Sequence, residues 1–272
     1  MSKDYLNDNG AVPNYQVVQG SAAKMRFVRD AEVDLIVTSP PYFPEDVEEL
    51  LKKPKAEHDQ FEHVEERITE FALTLRPIFN ELKRVLKKGC PFILQTKDIR
   101  YGDFLIPLAD VHQEMAINSG FRLVTRFYWL STPGSRRRLP KFVQSKRRRD
   151  FRALDTESFM VFAHPEGLAE GEVIKTLQKD EAFDLIQPLW RVPPNGGRHT
   201  HKYGSPSKVV GQLIELFSEP DSLVLDPFVG FGTTLVEAKR LGRRAIGYDI
   251  EGQCVTMTED NLDRLNAGED MK

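Results

Sequence analysis

The chain has 272 residues, 40% hydrophobic and 29% charged, with a formal net charge of −3. At about 150 residues per domain this suits one large domain with enough apolar content for a core, which excludes a wholly disordered chain. No stretch approaches the roughly 18 apolar residues of a membrane span, the opening MSKDYLNDNG lacks a signal peptide's apolar centre, and Cys90 and Cys254 alone cannot build a disulfide framework or a cysteine-rich zinc site, so a cytoplasmic protein is expected.

Short apolar runs alternate with amphipathic stretches, the pattern of a mostly parallel α/β sheet. Tyr15–Gln19 suits a short strand, with a brief helix expected around Ala22 to Val28. Val33–Thr38 has a continuous apolar centre, as expected of a strand buried on both faces. From Arg67 to Lys88, Ile68, Phe71, Leu75, Ile78, Leu82 and Val85 recur every three or four residues. That spacing predicts a helix kinked at Pro77 and ended by basic residues and Gly89. Phe92–Gln95 is the next strand, Ile106–Asn118 a helix, and Phe121–Leu130 a long strand.

A basic block follows. Between Ser131 and Arg152 stand Arg136, Arg137, Arg138, Lys141, Lys146, Arg147, Arg148, Arg149 and Arg152 against one acid, Asp150. These 22 residues carry +8, leaving −11 on the other 250. A basic block on an acidic body suits a polyanion site; a solvated loop is the plainer alternative. Ser158–Phe162 is another strand, so the block connects the two arms of an extended hairpin. Residues 166–188 are acidic and rich in turn formers. Ser205-Pro206 suits the start of a helix through Phe217. Then come a strand (Ser222–Asp226), a glycine-containing loop (Pro227–Gly232), a helix (Thr233–Leu241), a strand (Arg243–Asp249) and a helix (Val255–Leu265).

Two motifs carry chemistry. In Asp226-Pro-Phe-Val-Gly-Phe-Gly232, Gly230 and Gly232 let a strand turn sharply into a helix and let a ligand approach the backbone. Asp249 ends the next strand, where a carboxylate accepts bonds from ribose hydroxyls. Thr233-Thr234-Leu235 follows Gly232, so no third glycine stands at the spacing that would complete a dinucleotide fingerprint, which weakens a nicotinamide-dependent oxidoreductase. The second motif, Thr38-Ser-Pro-Pro-Tyr42, directly follows an apolar strand, at the end where parallel sheets bind ligands. Its prolines stiffen the chain; a hydroxyl and backbone carbonyls can accept both hydrogens of an exocyclic amine while a ring stacks on the base.

On these residues the sequence resembles the beta group of S-adenosylmethionine-dependent amino-methylating DNA methyltransferases. Asp226–Gly232 resembles their cofactor loop and Ser39-Pro-Pro-Tyr42 their catalytic motif, in the permuted order of that group. Further likeness lies in Arg84–Gly89, Glu157–Phe162, Trp190–Pro193 and His201–Pro206, so it covers roughly Tyr15 to Leu265. The resemblance implies a Rossmann-like class I methyltransferase fold: a seven-stranded, mostly parallel sheet with its last strand antiparallel, and chain ends close together. It implies one catalytic domain over residues 1–272, a hairpin insert at 131–156 for DNA contact, and a small target-recognition segment at 166–188. The segment Phe43–His63 is either a cover over the site or a surface loop.

The implied chemistry is direct methyl transfer to a base flipped out of double-stranded DNA. Ser39 Oγ and the Pro40 carbonyl, stiffened by Pro41, accept the amine hydrogens, and Tyr42 stacks on the base. Asp226, Pro227, Phe228, Gly230, Gly232, Thr233, Asp249 and Lys208 hold S-adenosylmethionine: Asp249 at the ribose, Phe228 near the adenine, Lys208 or residues near Ser205 at the carboxylate. No metal is required. Ser-Pro-Pro-Tyr accompanies cytosine N4 in this family, with adenine N6 as the alternative; attack at cytosine C5 would need a Pro-Cys pair, and here Cys90 precedes Pro91. A non-catalytic nucleic-acid-binding module would account for the basic block but not for both motifs. Homodimerisation is a family-level expectation.

Overall fold

The computed structural model describes residues 14–53, 59–131, 156–169, 187–192 and 205–266. In chain order the elements are β1 (Tyr15–Gln19), β2 (Leu35–Thr38), α1 (Glu45–Lys52), α2 (Phe61–Thr74), α3 (Arg76–Val85), β3 (Phe92–Thr96), β4 (Ile99–Tyr101), β5 (Phe104–Ile106), α4 (Leu108–Asn118), β6 (Arg122–Ser131), β7 (Thr156–Ala163), β8 (Leu189–Val192), α5 (Ser207–Phe217), β9 (Leu223–Asp226), α6 (Thr233–Arg240), β10 (Arg244–Asp249) and α7 (Gly252–Asn266). None of these helices is long and apolar enough to cross a membrane.

The main sheet runs β1-β10-β9-β2-β3-β7-β6-β8. β1, β10, β9, β2 and β3 are mutually parallel, β7 is antiparallel to β3 and β6, and β8 runs parallel to β6. This is the expected mostly parallel sheet with one antiparallel strand. It has eight strands where seven were expected, because the short run Leu189–Val192 adds to the edge. Trp190 holds it there: its ring stacks on Phe127 with centroids 4.7 Å apart, and the Trp129 indole N–H donates to the Val192 carbonyl at 2.8 Å.

The central strands β2, β9 and β3 are buried along their whole length because both faces are covered, and their few polar residues stand at the carboxyl ends. On one face Met25, Ile78, Phe79, Leu82 and Phe92 form a core with α3 and α4; on the other Leu35, Leu213, Ile214, Leu235 and Leu262 form one with α5, α6 and α7. α7 packs on β1 and β10, so the described ends of the chain meet as the permuted arrangement requires. A third, smaller core joins α1, α2 and the β4–β5 hairpin through Val47, Val64, Ile68, Tyr101 and Leu108.

Three expectations need correction. Ala22–Val28 is a series of turns rather than a helix; Arg84 holds it by donating to the Met25 and Val28 carbonyls while pairing with Asp30 and Glu81. The long helix of residues 67–88 is two helices parted at Leu75, with Pro77 in the first turn of α3, where its missing N–H costs nothing. The Phe43–His63 segment contains α1 and the start of α2, with Val47 buried in the third core. The basic block between β6 and β7 and most of 166–188 lie outside the described residues. The hairpin arms do pair, Leu130 facing Thr156, and the start of 166–188 is tied by Lys88–Glu166 and by Leu168 bridging Gly89.

Candidate active site

The chain order sets a switch point. From β9 it proceeds through α6 and β10 toward one edge, and from β2 it proceeds to β3 toward the other; β2 and β9 are neighbours. Loops leaving their carboxyl ends diverge to opposite faces and open a crevice, the usual ligand position in such sheets. Both sequence motifs leave from here. The Thr38 hydroxyl, at the end of β2, donates to Asp226 Oδ1 at 2.8 Å across the strand pair. Motifs 188 residues apart in sequence are thus joined by one buried bond.

Asp226 is 5% exposed. Burial pushes its carboxyl up to about 6; bonds from Thr234, Thr38 and the Phe228 N–H oppose that rise, and the nearby charge of Asp249 adds to it. The desolvation of a carboxylate outweighs three donors here.

The loop after Asp226 turns through two left-handed glycines, Gly230 (φ +51) and Gly232 (φ +82), the latter capping α6. A Cβ on Gly232 would lie 2.6 Å from Thr258 Cγ2, so α7 requires glycine there. At Gly230 nothing stands closer than the Phe228 carbonyl at 4.0 Å, and the backbone faces open space. α7 holds the loop from behind: Thr258 Oγ1 donates to the Gly230 carbonyl and Asn261 Nδ2 to that of Phe231. Asp249 holds it in front, Oδ2 accepting from the Gly230 N–H at 3.0 Å and Oδ1 from the Glu251 N–H at 2.9 Å. Each oxygen keeps lone-pair capacity for a further donor. Pro227 is buried, Phe228 packs part of its ring on the core beside α3, and Thr233 is half-buried. Lys208 is exposed in the first turn of α5.

The second motif continues from Thr38. Pro40 is buried and Pro41 exposed, which turns Ser39 and Tyr42 to the same side, Ser39 Oγ lying 3.2 Å from the Tyr42 hydroxyl. Burial pushes the Tyr42 pKa up, reinforced by the Glu157 carboxylate and opposed by the Ser39 bond. The phenol stays protonated and can donate to Ser39 Oγ. Tyr42 and Phe43 rest on the third core, so α1, α2 and the β4–β5 hairpin carry the motif.

Sequence reasoning missed Thr38 as a link, Thr234 on Asp226, Thr258 and Asn261 behind the loop, and Ile250, a residue 69% exposed directly after Asp249. Ile250 had a local signal, an apolar residue just beyond a strand-ending acid; the α7 residues had none.

Residues 33–260 match the N6/N4 methyltransferase family model described as DNA methylase. The chain belongs to this family. Among curated relatives, the methylase is 25% identical to the type II methyltransferase M.MjaI of Methanocaldococcus jannaschii, over 92% of this chain and 91% of that protein. Among solved structures, it is similar to a candidate DNA modification methylase of Thermus thermophilus (TM-score 0.69, 22% identity, 92% and 94% of the two chains), which has also been solved with S-adenosyl-L-methionine. It is likewise similar to the cytosine-N4-specific PvuII DNA methyltransferase (TM-score 0.65, 19% identity, 95% and 96% coverage).

Proposed function

We propose that this DNA methylase transfers a methyl group from S-adenosylmethionine to the N4 amine of a cytosine flipped out of duplex DNA. The observation that carries the reading is the Thr38–Asp226 bond, which sets Ser39-Pro-Pro-Tyr42 beside the glycine loop at one switch point. The residues present suit the cofactor. Asp226 and Asp249 offer carboxylates to a cationic ligand, the backbone at Gly230 faces open space, and Ile250 offers an apolar surface next to Asp249. When bound, the cofactor supplies an electrophilic sulfonium methyl.

The chain's own residues do the rest. The exocyclic amine is a weak nucleophile because its lone pair is delocalised into the ring. Ser39 Oγ and the Pro40 carbonyl accept its two N–H bonds, localise that lone pair and carry part of the positive charge that develops on nitrogen. Tyr42 stacks on the extruded base and offsets the lost base stacking. Asp249 would hold the cofactor's ribose, and Lys208 or the segment near Ser205 would meet its carboxylate. The nine cations of the 131–156 insert grip phosphates. The type II relatives support a restriction–modification role. The basic insert with Phe43–His63 reads the target, or a second subunit helps, and the small acidic 166–188 segment is a further candidate for recognition.

Serine at position 39 favours cytosine; adenine N6 is the competing target. Nucleoside mass spectrometry of treated DNA tests the choice. N4-methylcytosine is expected, and N6-methyladenine without it would overturn the cytosine assignment. Full-rate transfer by Ser39→Ala would remove Ser39 from its role.

A further inference from the structure

A polar cluster beside Tyr42 belongs to neither motif. Thr96 of β3 faces Ser158 of β7 in antiparallel register, which brings Lys97, the first residue beyond β3, beside Glu157 of β7. Lys97 Nζ stands 3.2 Å from Glu157 Oε1 and 5.5 Å from the centre of the Tyr42 ring. The other oxygen of Glu157 accepts from Gln95 Nε2, and Gln95 Oε1 accepts from Ser205 Oγ just before α5. Neither charge is free in solvent: the Lys97 side chain is 32% exposed and that of Glu157 is 16% exposed.

An ammonium over an aromatic face is held by the ring quadrupole, more strongly where water is partly excluded. Here a carboxylate fixed by Gln95 holds the same ammonium. Tyr42 is therefore gripped twice, at its hydroxyl by Ser39 and at its ring by Lys97.

We propose that the Lys97–Glu157 pair positions Tyr42 for the target base, covering one face of the ring and leaving the other to stack. A base entering on the covered face would have to displace an ammonium bound to both a ring and a carboxylate. Lys97 and Glu157 act through Tyr42, so they are positioning residues, and the inference rests on the reading of Ser39–Tyr42 as the target site.

The test uses the full chain and a duplex carrying the site located by base-resolution sequencing of modified DNA. Lys97→Met keeps the stem and removes the charge; it should lower kcat/KM for DNA about 3- to 30-fold. Lys97→Arg should restore most of that loss, and Glu157→Gln should resemble Lys97→Met. Binding of S-adenosylmethionine and the melting temperature should stay at wild-type values. On a duplex whose target base is mismatched, and so already cheap to extrude, the Lys97→Met deficit should shrink. Activity of Lys97→Met within about twofold of wild type, below the range expected when a cation is removed from a ring face, overturns the proposal; so does an equal deficit on paired and mismatched targets. Tyr42→Ala separates the two levels: full activity there defeats the target-site reading itself, whereas its loss beside an unaffected Lys97→Met defeats only the positioning role.

Discussion

Asp226 stores a conflict that substitution can release. Its carboxyl rises from the ordinary 3.8 to about 6, chiefly through burial. The folded protein therefore binds a proton there that the unfolded chain has shed, and stability from this source is complete below pH 3.8, then lost as pH rises through about 6. At 1.36 kcal/mol per pH unit, the rise corresponds to about 3 kcal/mol. Asp226→Asn is permanently neutral and of the same shape. At pH 7.5 it should gain part of that amount, about 1–2 kcal/mol, because its amide N–H₂ opposes one of the donors now aimed at the carboxylate. The gain should vanish below pH 4, where the wild-type carboxyl is also neutral. Affinity for S-adenosylmethionine should fall, as the cation loses its partner, so stability and function would move in opposite directions. Urea denaturation from pH 4 to 8 with a parallel cofactor titration checks both. An Asp226→Asn protein less stable than wild type throughout, or with the same pH profile, would refute the reasoning.

Thr38→Val removes a donor to Asp226 while keeping the shape of β2, so the carboxyl should rise further and cofactor binding at neutral pH should weaken, with its pH midpoint moved upward; calorimetric titration across pH 5.5 to 8.5 reads this. Gly232→Ala forces a side chain to φ +82 and into Thr258. A loss of about 2 kcal/mol or more is expected from the left-handed backbone and the overlap together, measured by thermal unfolding. Charge reversal at Arg136–Arg138 and Arg147–Arg149 should weaken DNA binding and flatten the dependence of log affinity on log salt, by close to one unit of slope for each phosphate no longer neutralised. Unchanged affinity across a salt series would return this block to a solvated loop.

Most strands and helices were legible because each has its own local signature. β2 and β9 each open with three apolar residues buried on both faces, and α5 starts directly after Ser205-Pro206, with Pro206 as its N-cap. The halves of the site were legible too, since a serine between a buried strand and two prolines, or two glycines before a helix, constrains its own backbone. Where several short-range signals met, the outcome was less plain. The kink expected at Pro77 became a break at Leu75, because proline is tolerated in a first turn and not in a helix interior. β8 has four residues and owes its place to Trp190 stacking on Phe127, a pairing across 63 positions that no local pattern encodes.

The sequence by itself determined the alternation of strands and helices, the composition of the two loops and the segregation of charge. Each depends on residues near in the chain. Only the tertiary structure decided that β2 lies against β9, that Thr38 reaches Asp226, and that Lys97, Glu157 and Tyr42 share one corner. Those neighbours come from strand order, and strand order is set by the burial of whole sheet faces rather than by any single segment.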